Sequence, residues 1–112
     1  MPIYITQGRY TRDAIKGMIV KPEDRADAVS RLIAKAGGRL IGLYLTFGEY
    51  DFVLIAEMPS EIQMAAALLA AAAGGGVSDL RTSVAMTTVE AKGAFASAAD
   101  LAATFKSAGG VR

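Results

Sequence analysis

The sequence contains no cysteine, no histidine and no tryptophan, and only 3 prolines. Without cysteine there are no disulfides, no thiolate metal sites and no cysteine nucleophile. Without histidine the commonest general base and the commonest metal ligand are missing, which excludes Ser-His-Asp chemistry. No metal site and no cofactor is implied. An excess of one charge is lacking too: 12 Lys+Arg stand against 11 Asp+Glu, a net charge of +1. Nothing therefore resembles the basic footprint of a nucleic-acid-binding domain. The longest apolar run, Met64–Ala73, is mostly alanine and falls well short of the ~20 residues of a membrane-spanning helix. The N-terminus has no basic start followed by an apolar stretch, so it does not read as a secretory signal. Together these absences predict a soluble protein of a reducing compartment, most simply the cytoplasm, that engages neither membrane nor nucleic acid.

What is present is core material. Hydrophobic residues make up 53% of 112 positions, enough for one domain of ordinary size. Pro2–Tyr10 alternates in the period-2 manner of a strand. Thr11 caps a short helix through Ile15, Met18 and Ile19. Pro22 suits the first turn of a second helix, whose stripe of Val29, Leu32, Ile33 and Ala36 ends at Gly37-Gly38. Arg39–Phe47 and Tyr50–Met58 read as strands joined by a two-residue Gly48-Glu49 type II′ turn. Ser60 opens an alanine-rich helix that ends at Gly74-Gly75-Gly76. Val77–Val89 reads as a fourth strand, residues 92–96 as a linker, and Ser97 as the cap of a short C-terminal helix with Leu101 and Phe105 inward. The order β-α-β-β-α-β predicts an α+β, ferredoxin-like domain over residues 1–90, with residues 91–112 as linker and helix. Its four-stranded antiparallel sheet, in the order 4-1-3-2, carries helices on one face.

The two-residue turn fixes a register. It places Phe47, Leu45, Leu43 and Ile41 opposite Tyr50, Phe52, Leu54 and Ala56 on the face under the helices. Thr46, Tyr44, Gly42 and Leu40 stand opposite Asp51, Val53, Ile55 and Glu57 on the open face. Alternation on the first strand puts Ile3 and Ile5 inward and Tyr4 and Thr6 outward. On the fourth it puts Arg81, Ser83 and Ala85 outward. An open face this apolar predicts a homo-oligomer, dimer or higher, that buries it. The alternative is that the C-terminal helix folds back across it. Tyr4, Thr6, Tyr44, Thr46, Asp51 and Arg81 are expected to gather at one end of that face as a ligand site. Asp51 is the best candidate for a catalytic group. Against this stand plainer roles: Gly48 as a turn glycine, Tyr50 as a packed ring, Asp51 in a salt bridge to Arg81 or a hydrogen bond to Thr46, and Lys16 and Arg25 as solvated charges.

The segment Thr46-Phe47-Gly48-Glu49-Tyr50-Asp51 resembles the Gly-x-Tyr-Asp signature of the GYD domain family. The resemblance extends over residues 2–88, through Tyr10-Thr11, Pro22-Glu23-Asp24-Arg25 and Gly37-Gly38. It implies a fold similar to the dimeric α+β barrel superfamily and names no reaction. Three roles follow as expectations. The first is a small homo-oligomeric module that binds or responds to a small ligand, held between sheet and helices or between sheets. The second is a cofactor-independent enzyme on a small aromatic or carbonyl compound. The third is a purely structural assembly protein.

Overall fold

The computed structural model of the chain describes residues 1–110. Along it follow β1 (Ile3–Tyr10), α1 (Arg12–Val20), α2 (Arg25–Lys35), β2 (Arg39–Leu45), β3 (Phe52–Glu57), α3 (Glu61–Ala73), β4 (Val77–Ala85) and α4 (Thr88–Ala102). The strands form one antiparallel sheet in the order β2-β3-β1-β4, the ferredoxin-like arrangement that the sequence predicts. Side-chain caps set the helix starts. The Thr11 hydroxyl accepts from Ala14 N–H at 3.3 Å, Asp24 from Ala26 N–H at 2.9 Å, and Ser60 from Gln63 N–H at 3.4 Å. Each satisfies an amide that has no partner within its helix. Because Asp24 supplies the α2 cap, Pro22 stands before the helix rather than in its first turn.

One face of the sheet lies under the helices. Tyr4, Thr6 and Gly8 of β1 pair with Ala56, Leu54 and Phe52 of β3, and all six are buried. Ile33 of α2 and Met64 and Ala67 of α3 close over this face. Tyr4 and Thr6 therefore lie on the covered face and Ile3 and Ile5 on the open one, the reverse of the expected placement. The reason is that both faces are apolar, so alternation alone gives no sign, and pairing decides. Tyr4 fits its ring opposite the small Ala56, and the Thr6 hydroxyl shares a 2.8 Å hydrogen bond with the Thr82 hydroxyl, which removes the penalty of burying it.

The β2–β3 register near the loop is as expected, with Leu45 opposite Phe52 and Leu43 opposite Leu54. A bulge between Leu40 and Gly42 then shifts it by one residue. Leu40 moves opposite Ala56, Ile41 is extruded to solvent, and Arg39 pairs with Glu57, both across the ladder and by ion pair. The strands stop at Leu45 and Phe52, so residues 46–51 form a wider loop in place of the two-residue turn. Gly48 has φ +141°, far from the ~+60° that a type II′ turn requires.

The C-terminal region differs most. β4 ends at Ala85, and Thr87 starts α4 with a reciprocal capping box. Glu90 N–H donates to the Thr87 hydroxyl at 3.1 Å, and Thr87 N–H donates to the Glu90 carboxylate at 2.9 Å. The bond from the Thr87 backbone, then that from its side chain, holds the Glu90 carboxyl below its ordinary range. Helix runs unbroken through residues 92–96, through the expected boundary at 90–91 and through Ser97, because the Thr87-x-x-Glu90 pair outcompetes the later cap. No residue of α4 is buried, and Leu101 and Phe105 face solvent rather than a core. The chain measures 60 × 30 × 22 Å with a radius of gyration of 18.3 Å, against ~13 Å for a compact domain of this length. Among the described residues no helix is long and apolar enough to cross a membrane.

Candidate functional site: a cleft between sheet and helices

The covered face continues past Gly8 to Tyr10. A Cβ at Gly8 would lie 2.6 Å from Phe52 Cζ and 2.7 Å from Leu80 Cδ2. Its absence lets the Phe52 ring lie across β1 and meet Tyr10, with centroids 5.0 Å apart and planes tilted by 38°. Small residues at the C-terminal end of α3, among them Ala70, Ala71 and Gly74, leave space above these rings. The result is a cleft of about 470 Å³, within the ~300–1,000 Å³ of small-molecule sites. Tyr10, Phe52 and Leu43 form its floor, aliphatic side chains of α1, α2 and α3 its walls, and Lys21, Glu23 and Arg25 its charged rim. A second pocket of about 350 Å³ adjoins it and shares Tyr10, Met18 and Arg25.

At the rim Arg25 Nη1 lies 2.9 Å from Glu23 Oε1. The Tyr10 hydroxyl has no hydrogen-bond partner among the described residues. Burial pushes the Tyr10 phenol above its ordinary value of 10.0; the Arg25 charge opposes this, and the Asp51 charge adds to it. The phenol is therefore neutral at physiological pH and presents a free O–H to the cleft.

The loop beside the cleft is tied down at three points. Asp51 N–H donates to Gly8 O at 2.8 Å, and the Asp51 carboxylate accepts from Tyr10 N–H at 2.9 Å. Arg9 Nε donates to Glu49 O at 2.8 Å, and its guanidinium sits 5.3 Å from the Tyr50 ring centroid. The same Arg9 reaches Asp79 of β4 at 3.4 Å. The Thr46 hydroxyl donates to Tyr50 O at 2.8 Å. Asp51→Ala leaves a half-buried amide without an acceptor. It is expected to lower stability by about 1–3 kcal/mol, read as a shift of the urea midpoint. An unchanged midpoint would mean that water takes over the carboxylate's place.

A family model for the GYD domain matches residues 4–95. The chain belongs to the GYD domain family. The match runs past Ala91 into the first half of α4. No curated protein matches the chain. Among solved structures, the chain is similar to the protein TTHA0845 from Thermus thermophilus, at 17% identity and a TM-score of 0.50, over 78% of this chain and 95% of that one. It is also similar to FFRP-DM1, at 13% identity and a TM-score of 0.47, over 77% of this chain and all of that one. The first of these likenesses speaks for the fold alone.

Within this GYD domain the residues expected to gather do not share one surface. Tyr4 and Thr6 are under the helices, and Thr46 and Asp51 are in the loop. Tyr44 and Arg81 are on the open face, at opposite ends of the cross-strand row Tyr44–Val53–Gln7–Arg81. Three strand spacings separate these two, roughly 14 Å. Arg81 forms no ion pair among the described residues, and the alternative of a bridge to Asp51 gives way to the bond that the Asp51 carboxylate accepts from Tyr10 N–H. The residues that line the cleft were legible only in part. Tyr10 shares the parity of Tyr4, Thr6 and Gly8, which marks it as inward-facing once β1 is oriented. Arg25, Glu23 and Lys21 carry no such sequence signal, because nothing in their spacing distinguishes a rim from a solvated helix start.

Proposed function

We propose that this GYD-domain protein is a small homo-oligomeric module that binds a small molecule in the cleft between the sheet and α1, α2 and α3. The observation that carries the proposal is the free Tyr10 hydroxyl over an apolar floor, with the Arg25 guanidinium at the rim. A ligand with an apolar body and an acceptor oxygen, carbonyl or carboxylate, matches that lining. Asp51 supports binding rather than proton transfer, since its carboxylate is engaged by a backbone amide. Its place in the ligand site is indirect, through Tyr10. Tyr44, with Ile3, Ile5, Val53 and Ile55, belongs to the open face that self-association would cover.

The test is thermal unfolding with benzoate, benzyl alcohol and benzylamine. At ten times its dissociation constant a ligand stabilises by about 1.4 kcal/mol. Benzoate is expected to raise the melting temperature most and benzylamine least. Tyr10→Phe and Arg25→Ala are each expected to reduce the benzoate shift. A wild-type protein that none of the three compounds stabilises, and that carries no co-purified small molecule in native mass spectrometry, would refute the binding role.

A further inference from the structure

Two apolar helical surfaces in this chain have no partner. On α3, Met64, Ala67 and Leu68 pack inward. The opposite side carries Ile62, Ala65, Ala66, Leu69 and Ala73 at helical spacing, with Ile62 81% and Leu69 71% exposed. On α4, Val89, Phe95 and Leu101 follow at intervals of six residues. At 100° per residue they point to three different sides of the helix, and Phe95 is 76% exposed. The one continuous apolar stripe of α4 is Ala91, Ala94, Phe95, Ala98 and Ala102, at i, i+3, i+4, i+7 and i+11, with Glu90, Lys92, Ser97 and Asp100 turned away from it; such a stripe belongs against another surface, not in water. Both stripes are mostly small, with Ile62 and Leu69 the large side chains on α3 and Phe95 the large one on α4, and the two helices have matching lengths of ~20 and ~22 Å. Large side chains against small ones is the pattern by which facing helices interdigitate.

These surfaces do not meet within the chain, since both are open to solvent. Only Met86 and Thr87 connect β4 to α4, and the Thr87–Glu90 capping box fixes where the helix begins. The consequence is visible in the total surface. The chain exposes 7988 Å², whereas a compact monomer of 11.6 kDa exposes ~5,800 Å². The excess, roughly 2,000 Å² per chain, is the amount that the larger, obligate dimer interfaces bury.

We infer that α4 is an exchanged arm: in a symmetric dimer each copy lays its α4 along the Ile62–Ala73 stripe of the other copy's α3. A two-fold axis satisfies both orphan surfaces at once, and a net charge of +1 raises no barrier to self-association. This inference rests on the homo-oligomeric reading and goes beyond it, since the open sheet face contributes nothing to the arm contact.

The absence of cysteine makes the test direct. Tagged Leu69→Cys chain and untagged Phe95→Cys chain are unfolded and refolded together, then treated with a flexible bismaleimide; Ile62→Cys with Leu101→Cys is the second pairing. All four sites are exposed, so folding is expected to survive. The expected result is a tagged–untagged cross-link in at least one pairing. Phe95→Asp in the full chain is expected to weaken self-association at least tenfold in sedimentation. A Leu69→Cys/Phe95→Cys double variant that cross-links within one 11.6 kDa chain would overturn the exchange. So would a sedimenting wild-type oligomer with no mixed cross-link in either pairing, and that outcome leaves the oligomeric reading intact. A wild-type monomer at micromolar concentration would overturn both.

Discussion

Phe52→Ala is expected to destabilise the domain by about 3–5 kcal/mol, the usual cost of deleting a buried aromatic ring. The ring is only 6% exposed, lies across Gly8 of β1 and stacks at a tilt on Tyr10. Such a loss is a large part of the ~5–15 kcal/mol that holds an ordinary domain folded. It is measured as a fall in the urea midpoint with an unchanged slope. Because Phe52 is also floor to the cleft, the variant that remains folded is expected to lose benzoate stabilisation. A cost below about 1 kcal/mol would show that Leu80 and Leu43 collapse into the vacated space.

A comparably large effect is expected from a single added methyl group. At Gly38 a Cβ would stand 2.3 Å from the Glu57 carbonyl oxygen and 2.4 Å from Met58 Sδ. The sulfur belongs to a wholly buried side chain, and the carbonyl belongs to β3 beside the Arg39–Glu57 pair. Neither neighbour moves without loosening the start of β2. Gly38→Ala is therefore expected to cost about 3 kcal/mol, at the upper end of overpacking penalties. Gly17→Ala is the matched control. A Cβ there meets nothing within 4 Å, and the exchange removes freedom from the unfolded chain, so a gain of about 0.4–1 kcal/mol is expected. Denaturation of the two variants side by side checks the pair. Equal midpoints would mean that β2 and β3 part easily at this end.

The strand order, the first three helices and the pairing of Tyr44 with Val53 are legible in the sequence, because period-2 runs, caps and glycine stops all mark them. The orientation of β1 is not, since Ile3 and Ile5 fit an open face that is itself apolar. Nor is the bulge at Ile41, where nothing distinguishes Leu40-Ile41 from a regular strand. The Thr87-x-x-Glu90 cap is present in the sequence, but it sits inside a run of β-prone residues that ends in Val89. The cleft is the least visible feature of all. It is made by what α3 and Gly8 lack, and its charged rim comes from a segment whose composition is that of any helix start.

The Asp51–Tyr10 bond has a wider meaning. A carboxylate stands where the next peptide carbonyl of a ladder would stand, and Arg9 clamps the loop that delivers it. The Gly-Glu-Tyr-Asp segment thus acts as punctuation: it ends the β1–β3 pairing at a set residue and fixes the level of the cleft floor. The walls and rim come from other stretches of chain, α1, the start of α2 and the end of α3. Frame and contents are written separately. On the proposed binding role, substitutions in those three segments are expected to change what the cleft accepts while the Asp51–Tyr10 link leaves its floor in place.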